Sequence, residues 1–531
     1  MNKKITIFDS TLRDGVQGQG ISFSVEDKLK IVKCLDKLGV EYIEAGNPGS
    51  NPKDIEFFKR IKELTLKKSK IVAFGSTRRV GVETKDDNNV KNLLAVETDA
   101  ICIFGKSWDF HATEILKTTL DENLQMIKDT VSYLKGKNKQ VFFDAEHFFD
   151  GYKNNSEYAM KTVEAAKEAG ADAVVLCDTN GGTLPQEIYE ITKAVQDAFK
   201  DISIGVHAHN DMGMAVANSI MAVEGGANHI QGTFIGFGER CGNANLSTII
   251  PILQLKMGFN IVDSEKLSEL TSSARFISEV SNITLNDDAP FVGNGAFAHK
   301  GGMHIDAVCK DPVSYEHIEP TLVGNKRRFL ISEVSGKSTV YSQIQKISPE
   351  LPKDCEETKI ITERLKELEF QGYQFEGAEG TVELIMRKIL GKYKPFFELI
   401  DFKVIGEQPS LDSNFKSTAM MHIVVDGKKE MTAAEGEGPI NALDKALRKA
   451  LEVFYPELQS VRLVDYKVRV LDTGCATKAK VRVLIESTDG EEKWSTVGVS
   501  TDIIEASWVA LVDSIEYKLI KNIEKKLKAY F

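Results

Sequence analysis

Through the first half of the chain, short apolar runs alternate with longer amphipathic stretches. The runs are Ile5–Phe8, Tyr42–Ala45, Ile71–Phe74, Ala100–Phe104, Val141–Phe143, Ala173–Cys177, Ile204–Val206 and Ile230–Phe234. Between them lie Glu26–Leu38, Ile115–Leu134, Ser156–Ala169, Gln186–Phe199 and Met214–Glu224. In the first stretch Leu29, Val32, Leu35 and Leu38 recur at helical spacing, and Gly39 closes the helix. Near-continuous apolar strands with helical crossovers predict a parallel sheet buried on both faces. Eight such units in about 250 residues fit an α/β fold of the (β/α)8 barrel type better than an open doubly wound sheet.

Beyond the runs the pattern changes. Leu285–Val340 is glycine-rich and polar, and within it Phe291–Asp306 reads as a histidine-bearing loop able to cap an active site. Pro349–Leu390 is charged and helical in pattern, and a composition shift near Pro395–Pro409 reads as a linker. From about residue 402, strands in series lead into a helix, twice. Displaced by 64 residues, Gly436, Ile440, Ala442, Ala446 and Leu447 fall on Ser500, Ile504, Ala506, Ala510 and Leu511. This weak repeat predicts two β-β-β-α units packed as one α+β domain. The expected division is a barrel over 1–280, linker subdomains with the capping loop over 281–400, and a C-terminal domain over 401–531. That last domain carries no cluster of histidines, cysteines or acids at ligand spacing, which leaves dimerisation or the binding of a small effector.

Composition narrows the function classes. A chain of 531 residues should form two or three units, and 42% hydrophobic with 27% charged residues is ordinary for a soluble globular protein. A net charge of −11 argues against a nucleic-acid partner, which calls for a clustered basic excess. Short basic groups at Arg78-Arg79 and Lys326-Arg327-Arg328 are solvated faces or contacts for a phosphate-bearing small ligand. The seven cysteines form no Cys-x-x-Cys pair and read as reduced thiols. With no signal-peptide core and no membrane-length apolar run, the expectation is a cytoplasmic protein without a membrane partner.

The polar residues fall where a barrel needs them. Asp9, Arg13 and Asp14 follow run one, Glu44 ends run two, and Glu146 follows run five. Asp178, Thr179 and Asn180 follow run six, while His207 and His209 end run seven. All lie at C-terminal strand ends, the face on which barrel active sites are built. The i, i+2 spacing puts both imidazoles on one side of the strand. With Asp14 they make a set of two histidines and a carboxylate with positions left open, suited to Mg²⁺, Mn²⁺, Zn²⁺ or Co²⁺. The same set occurs in non-haem iron oxygenases, which would consume O₂. A Lewis acid with open positions suits a 2-oxo acid, whose ketone carbon it makes electrophilic. Arg13, beside Asp14, can donate to the oxyanion that forms there. Thr179 offers a hydroxyl to the substrate carboxylate, or caps a helix. Glu146 is an acid/base candidate, with Asp144 and Asp150 as competitors.

The motifs carry a resemblance. Leu12-Arg13-Asp14-Gly15-Val16-Gln17, with Lys28 beyond it, resembles the first signature of the 2-isopropylmalate, homocitrate and citramalate synthase family. His207-Ala208-His209-Asn210-Asp211-Met212-Gly213 resembles the second. Gly238–Asn243 and Ala298–His304 are similar to further family blocks. Within the family, Phe74–Arg79, Ile103–Asp109, Asp144–Tyr152 and Cys177–Pro185 are similar to the long-form citramalate synthases. Val16 stands where isopropylmalate synthases tend to carry Glu.

The resemblance implies an acyltransferase that condenses acetyl-CoA with pyruvate and hydrolyses the thioester, giving citramalate and CoA on the route to isoleucine. The alternative it allows is a 2-isopropylmalate or homocitrate synthase acting on a larger 2-oxo acid. It implies that Asp14, His207 and His209 hold a divalent metal, Mg²⁺, Mn²⁺ or Zn²⁺, with Asn243 at or near it. It further implies that Arg13 stabilises the new alkoxide and Thr179 binds the oxo-acid carboxylate. Glu146 and His304 would move protons, with Asp306 and Tyr315 nearby. A homodimer is expected, with isoleucine as feedback effector. Its place would be the turns entering the two C-terminal helices, at Gly436, Gly438 and Ile440 and at Ser500 and Ile504, where helix N-termini suit a carboxylate. The second copy is expected to carry Thr501-Asp502 where the first has Gly438-Pro439.

Overall fold

Eight parallel strands close into a barrel in sequence order: β1 Thr6–Asp9, β2 Tyr42–Gly46, β3 Lys70–Ser76, β4 Ala100–Lys106, β5 Gln140–Glu146, β6 Ala173–Asp178, β7 Ser203–Ala208 and β8 His229–Gly232. All eight expected strands are present. The computed structural model describes residues 4–330, 337–352, 355–407, 416–471, 479–490 and 492–529. It divides into two units, residues 1–297 with 318–327, and residues 298–317 with 328–531.

Burial on both faces explains why the strands read as unbroken apolar runs. Ile7 and Phe143 point out against the helices, while their neighbours Phe8 and Phe142 point into the barrel. The interior is layered along each strand with period two. Its lower layer is aromatic, with Phe8, Tyr42, Phe142 and the ring of His229 packed at centroid distances of 4.9–6.5 Å. Two residues further along the strands, Tyr42 gives way to Glu44, Phe142 to Asp144 and His229 to Gln231, all buried. The aromatic layer is a floor, and the polar layer above it opens at the C-terminal strand ends.

Local signals set the helices. Helix Val25–Leu38 starts at a capping box in which Ser24 and Asp27 bond reciprocally, and ends at Gly39 with φ 102°. The helix expected over 115–134 is corrected. A π-turn occupies His111–Ile115, Lys117 takes φ 54°, and the helix runs Leu120–Gly136. Thr119 sets its start, its hydroxyl accepting from the Glu122 N–H.

In the second unit, β9 Ala298–His299 and β10 Arg328–Phe329 pair in parallel. His304 lies on helix Gly302–Lys310, so the segment expected to be a loop is helical at its end. Helices Lys337–Ile347, Glu356–Phe370 and Glu379–Ile389 follow, packed around Ile344, Ile361, Leu365 and Met386. The expected linker near 395–409 is also corrected. Strand β11, Glu398–Glu407, fills most of it, and Pro409 lies outside the described residues. Its alternating half-buried positions, Leu399, Phe402 and Val404, pack on the domain core.

The repeat is structural. Strands β11, β12 Lys416–Val425 and β13 Lys428–Gly436 form one antiparallel sheet before helix Pro439–Leu451. Strands β14 Arg462–Val470, β15 Val481–Thr488 and β16 Lys493–Ser500 form another before helix Ile503–Ala529. Both first strands carry an irregularity at the matching place, between Leu399 and Asp401 and between Leu463 and Asp465. In both units a strand threonine caps the same helix carbonyl, Thr432 to Ala446 at 2.9 Å and Thr496 to Ala510 at 2.7 Å. At this displacement Asp502 matches Gly438 and Thr501 matches Glu437, one position from the expected pairing.

Candidate functional site

Strand ends bring the first-motif acid and the two histidines together. Asp14 Oδ2 lies 3.1 Å from His207 Nε2 and 3.9 Å from His209 Nε2, and the two Nε2 atoms are 3.4 Å apart. All three residues are buried. Burial opposes the Asp14 charge, but Arg13 and His207 outweigh it and hold the carboxyl below its ordinary range. His209 is pushed down to about 4 by burial and by the neighbouring His207, so its ring is neutral at pH 7.

Asn243 completes the cluster. Its Nδ2 donates to Asp14 Oδ2 at 2.7 Å and lies 3.3 Å from His207 Nε2, while its Oδ1 is buried with no hydrogen-bond partner. The loop that carries it is zipped onto the end of β7: Asn210 N donates to Gly242 O, and Ala244 N to Ala208 O, each at 2.9 Å. Two imidazole nitrogens and a carboxylate held ionised form a donor set that fits a divalent metal ion, with the Asn243 amide beside them.

Arg13 is fixed on three sides. Its Nε donates to Glu44 Oε2 at 2.6 Å, its Nη1 lies 3.3 Å from Asp14 Oδ1, and its guanidinium carbon sits 3.8 Å above the Phe74 ring. Ser10 Oγ also donates to Glu44 Oε2, at 2.8 Å. Burial together with the nearby Glu44 raises the Asp144 carboxyl to about 6. Glu44, Cys102 and Asp144 form a second group, in which Glu44 spends Oε2 on Arg13 and Ser10 while its Oε1 is buried with no hydrogen-bond partner, and Asp144 accepts from Gln231.

Glu146 ends β5 and is ion-paired with Lys106 at the end of β4. Sequence reasoning missed Lys106. The signal was its place opposite Glu146 in the strand register. The Thr179 hydroxyl accepts from the His147 N–H at 2.8 Å, tying the β5 and β6 ends together and leaving its own proton free to donate. Arg240 holds the same turn, donating to Thr179 O and gripping Asp211 through two nitrogens. Asp150 faces His147 and Asn180 instead. Beside Lys106 is a cavity of about 240 Å³ lined by Ser76, Thr77, Arg78, Phe104 and Met126, among others.

The remaining expected residues lie in the second unit. The His304 ring stacks on Tyr315 at 4.1 Å, and Asp306 pairs with Lys310 at 2.6 Å. The two turns of the repeat differ. Gly438 heads its helix with an extended backbone and no side-chain cap. In the second, Asp502 Oδ1 accepts from the N–H of Ile504 at 2.7 Å and of Glu505 at 3.2 Å. Gly436 is buried where a Cβ would lie 2.4 Å from Ala442 N, and Ile440 packs on the domain core.

Family models match three stretches of the chain. Residues 4–277 match the HMGL-like model, 291–372 the homocitrate synthase post-HMGL domain-like model, and 376–519 the LeuA allosteric (dimerisation) domain. An (R)-citramalate synthase of Aquifex aeolicus is 53% identical over 99% of both chains. One from Geobacter sulfurreducens is 52% identical over 98% of both. A 2-isopropylmalate synthase of Clostridium kluyveri is 31% identical over 99% of both.

Proposed function

The chain belongs to the HMGL-like family and, within it, to the citramalate synthases, and from that premise we propose how its residues divide the work. It joins acetyl-CoA to pyruvate and releases CoA. Identity to the (R)-citramalate synthases well above that to 2-isopropylmalate synthases supports pyruvate over a larger 2-oxo acid, and favours (R)-citramalate as the product. The observation that carries the site is the Asp14, His207 and His209 cluster with Arg13 fixed against it.

A proton leaves the acetyl methyl group, and its carbon bonds to the ketone carbon of pyruvate. The ketone oxygen gains charge and then a proton, and water cleaves the thioester. A divalent ion held by Asp14, His207 and His209, with Asn243 beside it, would polarise the ketone. The Arg13 guanidinium, already oriented by Glu44 and Phe74, donates to the oxygen that gains charge. Thr179 donates its hydroxyl proton to the pyruvate carboxylate. Glu146 moves a proton at the reacting carbon with Lys106 holding its carboxylate, and His304, with Asp306 and Tyr315, serves the second transfer.

Catalysis belongs to residues 1–280, capping to 281–400 and regulation to 401–531, acting in a cytoplasmic homodimer. Isoleucine, the end product such an enzyme feeds, is the effector. Of the two turns, only the one at Gly436, Gly438 and Ile440 has a helix start free for a carboxylate, since Asp502 fills the one at Ser500 and Ile504. Thiol release from acetyl-CoA with a panel of 2-oxo acids tests the reaction. Pyruvate should give the highest kcat/KM, and a larger oxo acid in first place would overturn the assignment.

A further inference from the structure

Behind the histidine cluster, a line of hydrogen bonds crosses the barrel interior through a residue that none of the motifs contains. His207 Nδ1 lies 3.0 Å from Gln231 Oε1, and Gln231 Nε2 donates to Asp144 Oδ1 at 2.9 Å. The three residues come from β7, β8 and β5, and His207 and Gln231 are paired neighbours in the strand register. All are buried, so water does not compete for these bonds.

The direction of this line follows from its far end. An ionised carboxylate only accepts, so Asp144 takes a proton from the Gln231 amide nitrogen. That turns the amide oxygen toward His207, and an oxygen there can only accept. In the neutral ring that a metal ion requires, the His207 proton therefore sits on Nδ1, and Nε2, which faces Asp14, keeps its lone pair for a ligand. We infer that Gln231, backed by Asp144, is a positioning residue that sets the tautomer and ring orientation of His207 for metal binding. The inference rests on the reading of Asp14, His207 and His209 as metal ligands. An imidazole whose proton could move to Nε2 would lose its ligand atom, so the amide selects between a binding and a non-binding form.

Two variants of the full chain separate this role from simple space filling. Gln231→Leu keeps most of the volume and removes both bonds. Gln231→Glu combined with Asp144→Asn restores an acceptor for Nδ1–H and a donor–acceptor pair behind it. Co²⁺ affinity, measured by competition with a chromophoric chelator, and the visible spectrum of the Co²⁺-loaded protein are the readouts. Gln231→Leu should bind about 10- to 100-fold more weakly with an altered spectrum, and the double variant should return to within a few-fold of wild type. If Gln231→Leu melts well below wild type, Gln231→Met, unbranched like glutamine, replaces it with the same expectation. Wild-type affinity and spectrum in the leucine or methionine variant would overturn the inference alone. So would a double variant that melts normally but binds as weakly as Gln231→Leu. A wild type that binds no divalent ion would overturn the metal reading, and this inference with it.

Discussion

Glu146 and His229 both end up inside or at the rim of the barrel, yet burial gives them opposite tasks. Glu146 keeps a charged partner in Lys106 and a partly open position, which suits the proton transfer proposed for it. Glu146→Gln preserves shape and removes the charge, so kcat should fall by about 10²–10⁴ with little change in the pyruvate KM. A rise in KM alone would make it a substrate-positioning group. His229 lies in the aromatic floor, where burial pushes its ring down to about 3. An unfolded histidine titrates near 6.5. Between about pH 6.5 and 3 the unfolded chain therefore binds the extra proton, and stability falls as pH falls. His229→Phe should flatten the slope of unfolding free energy against pH in that window, measured by urea unfolding from pH 7 to 4.5. At this scale the cluster of Asp14, His207 and His209 was legible because two histidines at i, i+2 and an acid after the first strand need only strand geometry to meet. Lys106 and Gln231 were not, because their roles depend on which strand lies beside which.

Among elements, the segment between β8 and helix Leu246–Pro251 shows what a glycine-bearing block does physically. A Cβ on Gly238 would lie 1.8 Å from Asn243 Oδ1, the end of a side chain. A Cβ on Gly242, which has φ +90°, would lie 2.1 Å from Gly236 O, which is backbone. The two substitutions should therefore separate. Gly238→Ala displaces the Asn243 amide from Asp14, so metal affinity should drop with little change in melting temperature. Gly242→Ala strains the loop itself and should cost about 1–3 kcal/mol of stability, read by thermal or denaturant unfolding. Equal melting temperatures for the two variants would contradict this. Elements themselves were readable to the extent that their cause is local. The eight strands announce themselves as apolar runs, and Ser24 and Gly39 bracket the first helix. The break before Leu120 hangs on Thr119 and a positive φ at Lys117, neither visible in hydrophobic period. Strand β11 was hidden because prolines flank it and only every second or third side chain is even half-buried.

At the scale of the whole molecule, the duplicated C-terminal unit has two matching helix starts, and one of them carries no side-chain cap. Asp502 supplies its own carboxylate to the start of helix Ile503–Ala529, whereas the matching Gly438 supplies none to helix Pro439–Leu451. An effector carboxylate would be drawn to the open start at Pro439 and not to the start at Ile503, which Asp502 already serves. Inhibition also requires that it bind the less active state more tightly. Gly438→Asp copies the capped unit onto the open one. It is sterically permitted, since Gly438 has an extended φ of −166° and a Cβ there would meet nothing within 4 Å. Aspartate ranks at or above glycine as a helix cap, so the unit should be as stable as before or slightly more. The variant should condense acetyl-CoA with pyruvate at the wild-type rate while isoleucine inhibition weakens by at least tenfold in the concentration required. Asp502→Ala, by contrast, removes a cap worth about 1 kcal/mol and should leave the inhibition by isoleucine in place. Unchanged inhibition in Gly438→Asp would remove that turn from the effector site. A wild type indifferent to isoleucine, leucine and valine would make residues 401–531 a dimerisation module instead.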